Sequence, residues 1–118
     1  MKAEILAHLH DIAQAGRAIK EFISGCTLEK YSSNEILRSA VERKFEVIGE
    51  ALNRIGRDEP ALLSRIRNYR DIVSFRNILV HGYDTIDDRI VWNVIEEYLD
   101  ALIEDVDKIK INTAGGTL

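Results

Sequence analysis

Apolar residues recur at steps of three and four along most of this chain, and that period constrains the fold more than any other feature. Ile5, Leu9, Ile12, Gly16, Ile19 and Ile23 form one stripe, flanked by Leu6, Ala13 and Phe22. Leu37, Val41, Phe45, Ile48, Leu52 and Ile55 form a second. Val91, Val94, Ile95, Tyr98, Leu102, Val106 and Ile109 form a third, the cleanest of the set. No segment alternates with period two for long enough to make a convincing strand. The only proline is Pro60, so long helices are permitted on either side of it.

Punctuation divides the stripes into elements. The first helix spans about Lys2 to Ile23 and ends at Ser24-Gly25, where Gly25 suits the left-handed position after a helix. A polar linker, Thr27 to Ser33, precedes a second long helix capped by Ser33 or Asn34 and stopped at Gly56. Gly49 and Ala51 inside it permit close approach of a neighbouring helix. Pro60 opens a short helical piece, a position where its missing N–H is harmless. A further helix runs from about Asn68 to Val80, with Ile72, Phe75 and Ile78 or Leu79 facing inward, and Gly82 breaks it. Thr85 or Asp87 caps the last long helix, whose positive end Asp87 and Asp88 favour. The predicted fold is an all-α, up-and-down helical bundle of about three long and two short helices. One domain over 1–111 is followed by a Gly/Thr-rich tail, 112–118, expected to fray.

Composition narrows the function. The 118 residues carry a net charge of −4, which argues against a protein that coats nucleic acid nonspecifically. The charge is unevenly placed: from Arg38 to Arg76 there are nine basic residues against six acidic, and from Asn77 onward three against nine. The middle of the chain is therefore either a local phosphate-binding surface or a set of solvated helix faces. Cys26 is the single cysteine, which excludes an intrachain disulfide, and it reads as a small boundary residue rather than a reactive thiol. No apolar run approaches the ~20 residues of a membrane span, and the N-terminal residues do not resemble a signal peptide, so a cytoplasmic location is expected.

The chemistry-bearing residues gather at one helix end, in Arg76-Asn77-Ile78-Leu79-Val80-His81-Gly82-Tyr83. His81 belongs to the one residue type here that titrates near neutrality, and Arg76 offers a fixed fork of donors to phosphate oxygens. Asn77 can orient His81 or a phosphate, and Tyr83 can donate a hydrogen bond or accept a modification. Five residues apart on a continuous helix, Arg76 and His81 would point about 140° from each other. Joint action therefore requires the helix to end near Val80, leaving His81 free to swing. Taken singly, a histidine at a helix C-terminus is more often a dipole-satisfying cap, and an arginine more often a salt-bridge partner.

Glu46 and Glu50, with Arg43 near the same face, can form a polar layer that orients Arg76 or His81; Glu50 is equally placed to pair with Arg54 four residues on. Helical di-metal sites use Glu-x-x-His, and Ile5, Ala7 and Ile78 precede the three histidines by three, so no metal or other cofactor is expected. His8 and His10 are two apart and cannot share a helix face. Trp92 reads as a packing residue, and no glycine-rich phosphate loop is present.

Arg76-Asn77-x-x-x-His81-x-Tyr83 resembles the R-N-x-x-x-H-x-Y signature of the HEPN superfamily, in its HepT-like branch. Ala40-Val41-Glu42-Arg43 and Glu46-Val47-Ile48-Gly49-Glu50-Ala51 resemble that branch's second-helix pattern, and Val91-Trp92 follows in the family's order. The likeness covers about Met1 to Ile109; the tryptophan often seen before the motif helix is absent, with Tyr69 in that neighbourhood. The resemblance implies a homodimeric bundle with the two motif segments meeting in a groove. It further implies a metal-independent endoribonuclease, the toxin of a type VII-like toxin–antitoxin system, with Arg76 and His81 catalytic and RNA, transfer RNA among the family's substrates, as the target. Its partner would be a nucleotidyltransferase antitoxin of the MntA type that neutralises it by AMP transfer to Tyr83. The alternative is a HEPN subunit that presents a nucleotide or substrate to a nucleotidyltransferase without cleaving RNA itself.

Overall fold

The computed structural model describes residues 2–82 and 86–116. Among them the chain forms six helices: α1 (Ala3–Phe22), α2 (Leu28–Ser33), α3 (Glu35–Asp58), α4 (Pro60–Leu63), α5 (Tyr69–His81) and α6 (Asp88–Gly116). The three long stripes become the inner faces of α1, α3 and α6. α1 packs against both α3 and α6, and α5 packs mainly on α3 with a smaller contact to α6. Ile5, Leu9, Ile12, Ile19, Val41, Phe45, Ile48, Leu52, Leu99, Leu102 and Val106 are sealed in the core, where burying each such side chain contributes about 1.5–3 kcal/mol. Phe45 of α3 meets Phe75 of α5 edge to face, with ring centroids 5.1 Å apart. This is the all-α bundle that the periodicity predicts.

Local signals account for most helix ends. Gly25 takes a φ of +75° after α1, a conformation that costs other residues a steric clash. Asn34 caps α3 by accepting the Leu37 N–H at 3.0 Å, and Asp87 accepts the Arg89 N–H at 2.9 Å just ahead of α6. Thr85, the other candidate cap, lies outside the described residues. Two expectations change. The polar stretch after Gly25 contains a helix: Thr27 accepts the Lys30 N–H, and the single buried residue of α2, Tyr31, packs on Trp92 at 5.5 Å between centroids. And α3 does not stop at Gly56 but continues to Asp58, where Glu59, the residue before Pro60, turns out of helical conformation. At the C-terminus α6 continues to Gly116, past the boundary at 111; the division into a domain and a frayed tail stays a proposal.

One ion pair ties α6 to the turn between α4 and α5. Asp105, buried to 8% exposure, accepts the Arg67 N–H at 2.8 Å and the Arg67 guanidinium through Nε and Nη2. Burial would push this carboxyl up, but the Arg67 guanidinium and N–H outweigh it and hold it below the ordinary carboxylate range. Asp105→Ala should therefore destabilise the fold by about 2 kcal/mol, read as a fall in thermal midpoint on the order of 10 °C. The sign of the pH dependence follows from the lowered folded-state pKa. The contribution is fully present above the ordinary carboxylate pKa and is lost as pH falls through the lowered value. Thermal midpoints of wild type and variant, compared from pH 7 downward, should thus converge in acid. A constant gap would refute the assignment.

Candidate active site

Gly49 fixes the geometry of the site. A Cβ built at that position would lie 2.3 Å from both Cβ and Cγ of Arg76, so α5 crosses α3 at a distance only glycine permits. Arg76 then lies along the α3 surface with its side chain 20% exposed, and its Nη2 donates to Glu50 Oε2 at 3.0 Å. Nη1 donates to the Asn77 side chain at 3.2 Å. The Arg76 Nε is buried without a hydrogen-bond partner among the described residues. Such a group costs free energy unless something else completes it.

Glu50 serves both roles left open by the sequence. Its Oε1 accepts from Arg54 Nε at 3.0 Å, while Arg57 Nη2 stands 3.9 Å away. Three guanidiniums thus converge on one carboxylate. The Arg54 hydrogen bond, with the nearby charges of Arg54, Arg76 and Arg57, holds the Glu50 carboxyl below its usual range despite the opposing effect of burial. Arg57 was not anticipated, although its position seven residues beyond Glu50 places it on the same helix face.

Arg76 and Glu50 open onto a cleft of about 530 Å³ between α1, α3 and α5. Arg43 lines this cleft but bonds Glu46 at 3.3 Å rather than Glu50 or Arg76. His8 of α1 also lines it, a residue whose sequence context gave no sign of this placement. Among the described residues no group of three histidine, cysteine, aspartate or glutamate side chains could hold a metal ion. No helix among them is long and apolar enough to cross a membrane.

His81 is placed differently from the expectation. α5 does not end at Val80: it includes His81, and the Gly82 N–H still donates to Ile78 O at 2.7 Å. The helix is continuous from Arg76 to His81, so the two side chains diverge by about 140°. Arg76 faces α3, while His81 stands exposed on the stripe Arg70, Ser74, Asn77 and His81. One chain does not bring the pair together. Beside His81 the same helix exposes Ile78 at 51% and Val80 at 42%. Tyr83 lies outside the described residues.

The arrangement presents a positioned guanidinium at the edge of an open cleft and an accessible imidazole on an adjoining face. A family model described as "Ribonuclease HepT-like" matches residues 12–109. A protein of Methanocaldococcus jannaschii provisionally named RNase MJ1380 is 32% identical over 109 residues, covering 92% of this chain and 93% of its own. A probable ribonuclease HepT of Thermococcus cleftensis is 31% identical over 110 residues, covering 93% of this chain and 99% of its own. No solved structure matches the chain significantly. With the family match spanning all of α3 and α5, the helices that hold Glu50 and Arg76, the chain belongs to the HepT-like ribonuclease family of the HEPN superfamily.

Proposed function

We propose that this protein is a metal-independent endoribonuclease and the toxin half of a type VII-like toxin–antitoxin pair. The observation that carries the reading is Arg76, held by Glu50 over Gly49 at the rim of an open cleft. A guanidinium so fixed can keep one nitrogen on Glu50, exchange its contact to Asn77 for an oxygen of a phosphodiester, and stabilise charge as it develops there. The ribose 2′-oxygen attacks phosphorus, the bond to the 5′-oxygen breaks, and a 2′,3′-cyclic phosphate and a 5′-hydroxyl result. One proton leaves the 2′-hydroxyl and one reaches the 5′-oxygen; the His81 imidazole, a side chain able to take up and release a proton, is the carrier.

Because Arg76 and His81 diverge on one helix, the active unit is a homodimer in which a second copy brings its His81 toward this Arg76. The exposed Ile78 and Val80 beside His81 support an association through α5. Asn77, Glu50 and Arg43 play supporting parts, Glu50 by direct contact with Arg76 and Asn77 by accepting from it. Arg43 offers a cation at the far side of the cleft. In the cytoplasm an MntA-type nucleotidyltransferase antitoxin neutralises the chain by AMP transfer to Tyr83. The nucleotide adds bulk and negative charge two residues beyond His81 in the sequence.

Purified protein should cleave RNA in excess chelator, and His81→Ala should lower the rate by about 10²–10⁴-fold. RNA left intact by the wild type, with nucleotide bound instead, would establish the non-cleaving subunit. Undiminished cleavage by His81→Ala would remove the histidine from the chemistry.

A further inference from the structure

A second cavity, of about 460 Å³, opens where α3, α4 and α5 meet. Its walls are Leu63, Tyr69 and Val73, half-buried apolar side chains packed against the core. Gly56 forms its floor, where an added Cβ would come within 2.8 Å of Leu63 Cδ1. At the rim stand Arg57 and Arg70, and no carboxylate lines the cavity, in contrast to the Arg76 cleft with its Asp11, Glu46 and Glu50. Asn53 and Ser74 contribute an amide and a hydroxyl with no hydrogen-bond partner among the described residues. Arg70 donates from Nε to Tyr69 Oη at 3.0 Å, which leaves its guanidinium 5.6 Å from the ring centroid.

We infer that this cavity binds one unpaired base of the RNA strand whose phosphodiester lies at Arg76, an inference that rests on the RNA-cleaving function proposed above. Three observations carry it. The lining matches a nucleobase: apolar walls with an aromatic ring for its faces, and an amide and a hydroxyl for its edges. The charge is suited to the attached backbone, since two arginines and, among the described residues, no carboxylate line the cavity. And two parts of its rim lead toward the active site. Arg57 on its rim is 3.9 Å from Glu50, which holds Arg76. Arg70 and Ser74 also belong to the exposed α5 stripe that ends at His81. From Tyr69–Ser74 to His81 the helix rises by about 15 Å, so the captured base belongs to a nucleotide a short way along the strand rather than to the one being cut. The cavity would thereby place the strand and confer a base preference at one flanking position.

The test uses RNA oligonucleotides with one cleavage site, in which each flanking base in turn is replaced by an abasic residue. Binding to the His81→Ala variant is followed by fluorescence anisotropy, and cleavage by the wild type is followed in parallel. One position should stand out, its abasic form losing about tenfold in affinity and in kcat/KM. Tyr69→Ala and Asn53→Ala, made in the His81→Ala background for binding, should flatten that position, whereas Tyr69→Phe, which keeps the ring, should preserve it. A flat profile in wild type and His81→Ala, or an unchanged profile in Tyr69→Ala and Asn53→Ala, would overturn the inference. Should the wild type cleave none of the RNAs, the function proposed above fails, and the binding profile alone decides the base site.

Discussion

Arg76→Ala should lower RNA cleavage by about 10²–10³-fold while leaving the helical content intact. The expected loss is that of a donor placed where charge develops, a typical magnitude for one such group in a partly enclosed site. Folding should survive because the aliphatic start of the side chain, not the guanidinium, makes the packing contact with Gly49. The buried Nε, without a hydrogen-bond partner among the described residues, is removed with it. Arg76→Lys should recover little. An ammonium keeps the charge but cannot offer one nitrogen to Glu50 and another to a phosphate oxygen in the plane the fork defines. Cleavage rates under single-turnover conditions, with circular dichroism as the control for folding, measure both variants. Near-wild-type rates in Arg76→Lys would mean that charge alone suffices and that the grip of Glu50 is incidental.

The long helices were legible because each buries a continuous stripe, and a stripe is visible whenever it spans several turns. α2 was not, because a six-residue helix with Tyr31 as its one buried side chain has no period to detect. Gly56 looked like a terminator because glycine is a poor helix former. Within α3 it is tolerated at roughly 1 kcal/mol, and the helix stops instead where Pro60 constrains Glu59. Composition and propensity act locally; which signal prevails depends on what packs against the residue.

The site divides along the same line. Residue types and spacing single out Arg76 and Glu50 as charged candidates and Gly49 as a place that permits close helix approach, while the catalytic reading of Arg76 comes from the family resemblance. That Glu50 would satisfy Arg54 and Arg76 at once, one through each oxygen, depends on where α5 lies across α3. The expectation that α5 ends at Val80 failed because the Gly82 N–H remains bonded to Ile78 O, carrying the last turn through His81. Gly82 itself adopts a φ of −71° and needs no glycine-specific backbone conformation. His8 and Arg43 share the cleft through the packing of α1, α3 and α5, which no local pattern encodes.

Gly49→Ala tests whether the helix crossing and the chemistry are one property. By propensity alone the substitution should stabilise α3 by about 1 kcal/mol, since alanine is the better helix former. Here the new methyl would lie 2.3 Å from Arg76 Cβ, an atom fixed to the α5 backbone that no change of rotamer can remove. α5 must therefore shift as a body. Such overpacking costs about 1–3 kcal/mol, enough to outweigh the gain in propensity. The shift also draws Arg76 away from Glu50, so cleavage should fall nearly as far as in Arg76→Ala. Gly56→Ala is the matched control: its methyl meets only Leu63 Cδ1, the end of a side chain that can rotate, and the variant should be as stable as the wild type or more so. Combining Gly49→Ala with Arg76→Ala should not restore stability, because the offending Cβ remains. With Arg76→Gly, which removes it, stability should return without activity. Chemical denaturation together with cleavage assays would separate these outcomes, and a Gly49→Ala protein as stable and as active as the wild type would disprove the close crossing as the origin of the site.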